Sequence, residues 1–360
     1  MKFLRSLFMR LMKSIISIIV LLLMSLAGIW CFLHKPWLEA ADKQVPQVKV
    51  DPERMKEIVK LFSVRFHPRS YRDHVALLAT GKTIQRRFET TKGKVEMQKF
   101  SVNIPDKGET VSKEYFNVSC LFGEGKGPLI IIGAHYDSHD MTPGADDNAS
   151  GLAGLLELAY LLDAEKKLNC EIELVAYSLE EPPFFATDDM GSAHHANKLE
   201  KEGVEVRAVL ILEMIGYFTE EANSQDYPTP LFKLLYPSVG NFIAIVGKLD
   251  QGKFTGEVKS AFMSVQGLGV QSINAPVEIP GIDFSDHRNY WAKGHQAVMI
   301  TDTAFYRNKA YHTENDTWDR LNYEKMALVV EGTFNAVMKL SKKEPKVELN
   351  KEVKETPTKE

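Results

Sequence analysis

The sequence predicts an α/β domain with a mixed, largely parallel central sheet flanked by helices, preceded by one N-terminal transmembrane helix. Three observations predict it. Apolar runs of strand length alternate with helical segments through the middle of the chain. Residues 14–33 carry no charge and are mostly Ile, Leu, Val, Met and Phe. Strand after strand ends in a histidine or an acid, at the strand ends where open α/β sheets bind their ligands.

Lys2, Arg5, Arg10 and Lys13 open the chain with no acid among them, so residues 1–13 read as a basic cytoplasmic segment. Residues 14–33 are long enough to cross a bilayer as a helix. His34, Lys35 and Trp37 follow where an interfacial anchor sits. This signal-anchor puts everything after it on the extracytoplasmic side, periplasmic or extracellular. The competing reading is a signal peptide cut at Ser25-Leu26-Ala27, which would make the protein secreted. Cleavage there would leave Ile29-Trp30-Cys31-Phe32-Leu33 near a new N-terminus, and the bulk of Ile29 and Trp30 argues against lipidation of Cys31.

Residues 34–50 read as a tether, and residues 51–341 as the folded domain. Asp51-Pro52 is a helix start, with a capping acid before a first-turn proline. A second helix is expected over about 70–89. Val95, Met97 and Phe100 mark a half-buried strand, and residues 114–122 a second one paired with it as a hairpin. Leu129–Ile132 is a continuous apolar run between Pro128 and Gly133, as in a strand covered on both faces. A helix follows over 150–162, its Gly151, Ala153 and Gly154 allowing close approach to the sheet. Further strands are expected at 172–176, 207–213, 242–246 and 297–301. The last residues, 342–360, hold six Lys, five Glu and two Pro and read as a disordered tail.

Composition limits the function. Of 360 residues, 44% are hydrophobic and 26% charged, which is ordinary for a globular domain. A formal net charge of −4 and no basic stripe speak against a nucleic-acid partner. Three cysteines are too few for a thiolate metal site, so a metal here is held by His and carboxylates. The strand ends supply those groups. His135 and Asp137 follow the first central strand, Glu180-Glu181 the next, Glu213 the third, and Tyr311-His312 a later segment. The Asp146-Asp147 loop lies between the first two. Pro182-Pro183 directly after the Glu pair fixes it at the strand end. Asn148-Ala149-Ser150-Gly151 lacks the first glycine of a nucleophile elbow, which excludes a serine hydrolase of that type.

Six segments are similar to the co-catalytic di-zinc exopeptidases of metallopeptidase family twenty-eight, the bacterial aminopeptidase type. They are Gly-Ala-His135-Tyr-Asp137, Pro-Gly-Ala-Asp146-Asp147-Asn-Ala-Ser-Gly, Ser-Leu-Glu180-Glu181, Leu-Glu213-Met-Ile-Gly, Ser285-Asp286-His287 and Tyr311-His312-Thr-Glu-Asn-Asp316-Thr. They occur in the family's order across about 55–340. The resemblance implies a zinc-exopeptidase (phosphorylase/hydrolase-like) fold, two zinc ions and peptide substrates. It implies that His135, Asp147 and Glu213 hold one zinc and that Asp147, Glu181 and His312 hold the other. Glu180 would be the general base, Tyr311 would polarise the scissile carbonyl, and Asp137 would support His135. It also implies a cis Asp147–Asn148 peptide and places Cys120 and Cys170 on strands close enough for a disulfide.

The charges of such a site balance. Two zinc ions bring +4, three carboxylates −3 and one hydroxide −1. The chain departs from the family at Glu213, where its aminopeptidases usually have Asp, and at Trp318, where they often have Pro. Asp188, Asp189, Phe184, Phe305 and Tyr306 are candidates for substrate contacts. The alternatives are a glutaminyl-cyclase-like acyltransferase on the same fold, which usually uses one zinc, and a non-catalytic binding module, which typically lacks ligands.

Overall fold

The structure is a computed structural model and describes residues 2–34, 48–106, 108–125 and 127–342. All but the first residue of the expected tail, 343–360, and most of the expected tether lie outside the described residues. Helix α1 (Lys2–His34) is followed, from residue 48 onward, by the domain. Its window Phe8–Ile29 is apolar, exposed and 22 residues long, sufficient by length and composition to span a membrane.

The domain elements follow in chain order: α2 (Pro52–Lys60), α3 (His74–Phe88), β1 (Lys94–Asp106), β2 (Glu109–Phe122), β3 (Leu129–His135), α4 (Gly151–Ala164), β4 (Ile172–Tyr177), α5 (Gly191–Glu202), β5 (Val206–Leu212), α6 (Pro230–Leu235), β6 (Phe242–Lys248), α7 (Gly252–Phe262), β7 (Gly269–Ala275), α8 (His287–Ala292), β8 (Ala297–Thr301) and α9 (Tyr323–Ser341). The Asp51 side chain accepts the Glu53 N–H, and Pro52 takes the first turn of α2, as the sequence predicts. Helix α3 begins later than expected because Asp73, not Ser70, caps it through the Ala76 N–H.

The described strands form one eight-stranded sheet in the order β1-β2-β4-β3-β5-β8-β6-β7. β4, β3, β5 and β8 run parallel, and so do β6 and β7. The joints β1/β2, β2/β4 and β8/β6 are antiparallel, so the sheet is mixed. β7 was not foreseen: its sequence GVQSINA is polar, with an exposed first residue, as suits an edge strand. The run Leu129–Ile132 is apolar throughout because both sheet faces are covered. Ile130 and Ile132 join the core with Leu155 of α4 and Val330 of α9, whereas Ile131 packs with Leu199 of α5 and Tyr290 of α8. In register, His135 of β3 lies beside Tyr177 of β4, and Gly133 beside Ile211 of β5. Three parallel strands therefore end together and aim the following residues into one place.

Cys120 and Cys170, which the resemblance places close enough for a disulfide, are buried free thiols. Cys120 pairs across the sheet with Val95 and Leu174, and Cys170 lies in the turn before β4.

One ion pair ties α2 to α4. Arg54 donates Nε to Glu157 Oε1 at 2.5 Å and Nη2 to Oε2. The Glu157 side chain has no exposure and that of Arg54 45%. Arg54→Ala leaves a buried carboxylate without its cation. Breaking fully buried pairs costs about 3–5 kcal/mol, and because Arg54 is partly solvated the expected loss is about 2 kcal/mol in urea unfolding.

Candidate metal centre

Two groups of ligand-type side chains converge at the ends of β3, β4 and β5. In one, His135, Asp147 and Glu213 bring donor atoms within 4.8 Å of one another; in the other, Asp147, Glu181 and His312 do so. Asp147 belongs to both, and it faces them with different oxygens. Its Oδ1 lies 3.3 Å from His135 Nε2, and its Oδ2 lies 3.1 Å from His312 Nε2. Glu213 Oε2 is 3.4 Å from His135 Nε2, and Glu181 Oε2 is 3.1 Å from His312 Nε2. Glu180 approaches His135 Nε2 only to 4.0 Å.

These residues fit zinc. Two donors each about 2.0–2.1 Å from a tetrahedral zinc stand about 3.3–3.4 Å apart, close to the spacings observed. The donors are imidazole and carboxylate, which zinc accepts. His135 Nε2 and Glu181 Oε1, one from each group, are buried and have no hydrogen-bond partner, as atoms kept for a metal would be. Electrostatics point the same way. Burial works against a charged His135 imidazole, but Glu213, Asp137, Asp147 and Glu180 outweigh it and raise its pKa well above the usual range. Burial likewise opposes charge on His312, yet Asp147 and Glu181 push it up to about 10. Burial and the neighbouring Asp147 push Glu181 up to about 8. The pocket thus favours positive charge between the imidazoles and the carboxylates, which a divalent cation supplies.

The backbone that carries the ligands is held by polar side chains from distant segments. Asp137 does more than the sequence predicts. Its Oδ1 is 3.4 Å from His135 Nδ1, and its two oxygens also accept the N–H groups of Glu180 at 3.2 Å and Glu181 at 3.1 Å. His135 Nδ1 also lies 3.2 Å from the Asp137 main-chain carbonyl, so one residue, through its carbonyl and its carboxylate, holds the His135 ring and the Glu pair together. The Asp147–Asn148 peptide is cis, as the resemblance implies. Asn148 reaches β5, donating to Leu212 O and accepting from Met214 N. Asp316 accepts from the N–H groups of Asp146 at 3.0 Å and Asp147 at 3.1 Å. Asp146 points away from both ligand groups, accepting from Gly216 N and Asn308 Nδ2. Ser285 donates to Glu213 Oε2 at 2.6 Å, which locates one member of the Ser285-Asp286-His287 motif; Asp286 and His287 are buried and join neither ligand group. Gly144 opens the acidic loop at φ 57°, where a Cβ would meet Asp147 O at 2.3 Å.

Arg69 is the residue that sequence reasoning missed most completely. It is fully buried, and its guanidinium donates to four carbonyls: Phe62, Tyr136, Pro143 and Gly144, at 2.7–2.9 Å. It pins both ends of the loop between Asp137 and Asp146. His139 on that loop was missed too. Its ring stacks on His312 at 3.9 Å, while Tyr311 stacks on the other partner surface of His312 at 3.7 Å.

An apolar cavity of about 110 Å³ opens beside Glu213 and Tyr311. Ala244, Val246 and Met299 form part of its wall on the sheet, and Phe232 of α6 and Tyr236 just after it line the other side. Phe305 and Tyr306 line it as the sequence suggests. Phe184 does not: it is buried and packs edge-on against Tyr71 at 5.2 Å. Asp188 is exposed and Asp189 half-buried, and neither lines the cavity. Trp318 lies away from the cavity, under the Lys60 ammonium at 4.0 Å.

A mixed α/β sheet whose strand ends deliver two such ligand groups defines a metallohydrolase. The sequence pattern of peptidase family M28 matches residues 117–337, and the chain belongs to that family of metallopeptidases. Escherichia coli (strain K12) YfbL, a protein of uncharacterised function, is 45% identical over 331 residues, covering 90% of this chain and 98% of its own. Leucine aminopeptidase 1 of Sclerotinia sclerotiorum is 26% identical over 229 residues, 60% of this chain and 53% of that protein, so the match spans about half the fungal enzyme. Among solved structures, the zinc aminopeptidase BSAP of Bacillus subtilis superposes with a TM-score of 0.64 at 14% identity, over 81% of this chain and 96% of that one. Fimbriiglobus ruber glutaminyl cyclase gives 0.62 at 17%, over 84% and 100%. At such identities the likeness is one of fold.

Proposed function

We propose that the chain is an aminopeptidase that releases N-terminal residues from peptides at a two-zinc site, held at a membrane by α1 with its domain on the extracytoplasmic side. The observation that carries the reading is Asp147, whose two oxygens face two separate ligand groups. A glutaminyl cyclase with one zinc has no need of the second group, and a binding module has no need of either. When bound, two zinc ions supply a water of lowered pKa and polarise the scissile carbonyl.

The residues around them do the rest. Glu180 takes the proton of the attacking water and returns it to the leaving amine. Burial, with Glu213 and Glu181, outweighs the opposing pull of His135 and raises its carboxyl well above the ordinary range. Burial and nearby carboxylates also push Tyr311 up, so its hydroxyl keeps its proton and donates to the developing oxyanion. Asp137 fixes the His135 tautomer, and Ser285 steers Glu213. The cavity takes the first side chain, and its apolar walls favour leucine or phenylalanine.

The test is an anilide panel with and without a chelator. Leucyl- and phenylalanyl-anilide are expected to react at least about tenfold faster than glycyl-anilide, since burying several methylenes is worth about 0.8 kcal/mol each. The chelator should stop all turnover, and N-acetyl-leucyl-anilide should not react. Chelator-insensitive turnover, or cyclisation of N-terminal glutamine in place of hydrolysis, would overturn the reading.

A further inference from the structure

A row of aromatic rings borders the catalytic mouth, and metal binding does not account for it. Tyr311 lies 5.5 Å from Phe305, Phe305 6.2 Å from Phe284, and Phe284 5.7 Å from Phe185, centroid to centroid. Phe284 is 42% exposed, and Phe185 and Phe305 are half-buried. Phe185 is held by the Arg288 guanidinium, 4.8 Å from its centroid, and Arg288 is in turn tied to Asp283 at 3.4 Å. Contiguous apolar rings left in water beside a cavity mark a binding surface.

The row has a direction. Phe305 and Phe284 also line the cavity assigned to the first side chain, whereas Phe185 does not. Phe185 stands on the segment that follows Glu180-Glu181 and Pro182-Pro183. A base that hands its proton to the leaving amine has the departing chain passing beside it. The row therefore leads from the first-residue cavity toward the side where the shortened peptide leaves.

We propose that Phe185, seated on Arg288 and touching Phe284, is a shelf for the side chain of the second residue of the substrate, and that it selects peptides whose second residue is aromatic or bulky and apolar. The proposal rests on the aminopeptidase reading. An aromatic contact of this kind is worth about five- to tenfold in binding. Because it acts on a part of the peptide remote from the reacting carbonyl and equally in ground and transition states, it appears in KM.

The experiment compares leucine release from Leu-Gly-Gly and Leu-Phe-Gly by the metal-loaded full chain. The expected wild-type result is a kcat/KM about tenfold higher for Leu-Phe-Gly, carried by KM. Phe185→Ala should remove that advantage and leave Leu-Gly-Gly within about twofold; Arg288→Ala, which keeps the ring but frees it, should remove part of it. Equal kcat/KM for the two peptides in the wild type overturns the shelf and leaves the aminopeptidase reading standing. So does an advantage that survives both variants, or a Phe185→Ala loss shared equally by both peptides. Release of leucine from neither peptide overturns the aminopeptidase reading and the shelf with it.

Discussion

Glu180→Gln is expected to lower kcat by about 10³-fold, within the 10²–10⁴ range typical of a positioned general base, while leaving metal content unchanged. The geometry separates base from ligand. The proposed ligand carboxylates Asp147 and Glu213 approach His135 Nε2 to 3.3 and 3.4 Å, but Glu180 stops at 4.0 Å. It is beside the first ligand group without belonging to it. The amide keeps the shape and the backbone contacts to Asp137, which involve the Glu180 N–H and not its side chain. What it loses is a lone pair that accepts a proton. Steady-state assays on leucyl-anilide, with metal analysis of the same sample, test this. A variant with full activity would remove Glu180 from the role.

Asp147→Asn is expected to be more damaging. An amide presents one oxygen and an NH2 group that only donates, so it cannot serve two cations. The variant should hold at most one metal per chain by elemental analysis and show no measurable turnover. A stability signature accompanies the loss. A metal present at about 1,000 times its Kd stabilises a folded chain by about 4 kcal/mol, which for a domain of this size is a Tm rise of about 8 °C. That rise on adding zinc should be seen in the wild type and be mostly absent in the variant. Two metals per chain in Asp147→Asn would show that the shared carboxylate is not the bridge.

The residues of the two candidate ligand groups were legible in the sequence, and much of what holds them was not. His135, Glu181 and Glu213 follow apolar runs that read as central strands, so their common position follows from a parallel sheet alone. Asp147 and His312 were legible through the motifs around them. The second roles were hidden for a different reason. Asp137 accepting from the Glu180 and Glu181 N–H groups, Asp316 from Asp146 and Asp147, and Asn148 reaching Leu212 are side-chain-to-backbone bonds between distant segments. Such bonds depend on where loops are carried in space and leave no periodicity along the chain. Edge strand β7 escaped notice because its period-2 pattern is weak, and Phe184 was misassigned because a loop phenylalanine reads the same whether it faces a substrate or Tyr71.

The carbonyl cage of Arg69 also marks where the catalytic unit begins. The M28 pattern starts at residue 117, yet the cation that pins the loop between Asp137 and Asp146 lies 48 positions earlier and takes one of its four carbonyls from Phe62. A fragment cut at the start of the family match would keep all five candidate ligand side chains and lose the clamp on the loop joining two of them. The segment from α2 to α3 is thus tied into the proposed site, and its contact with the rest of the domain begins ahead of α2, where Val50 donates its N–H to Glu331 of α9.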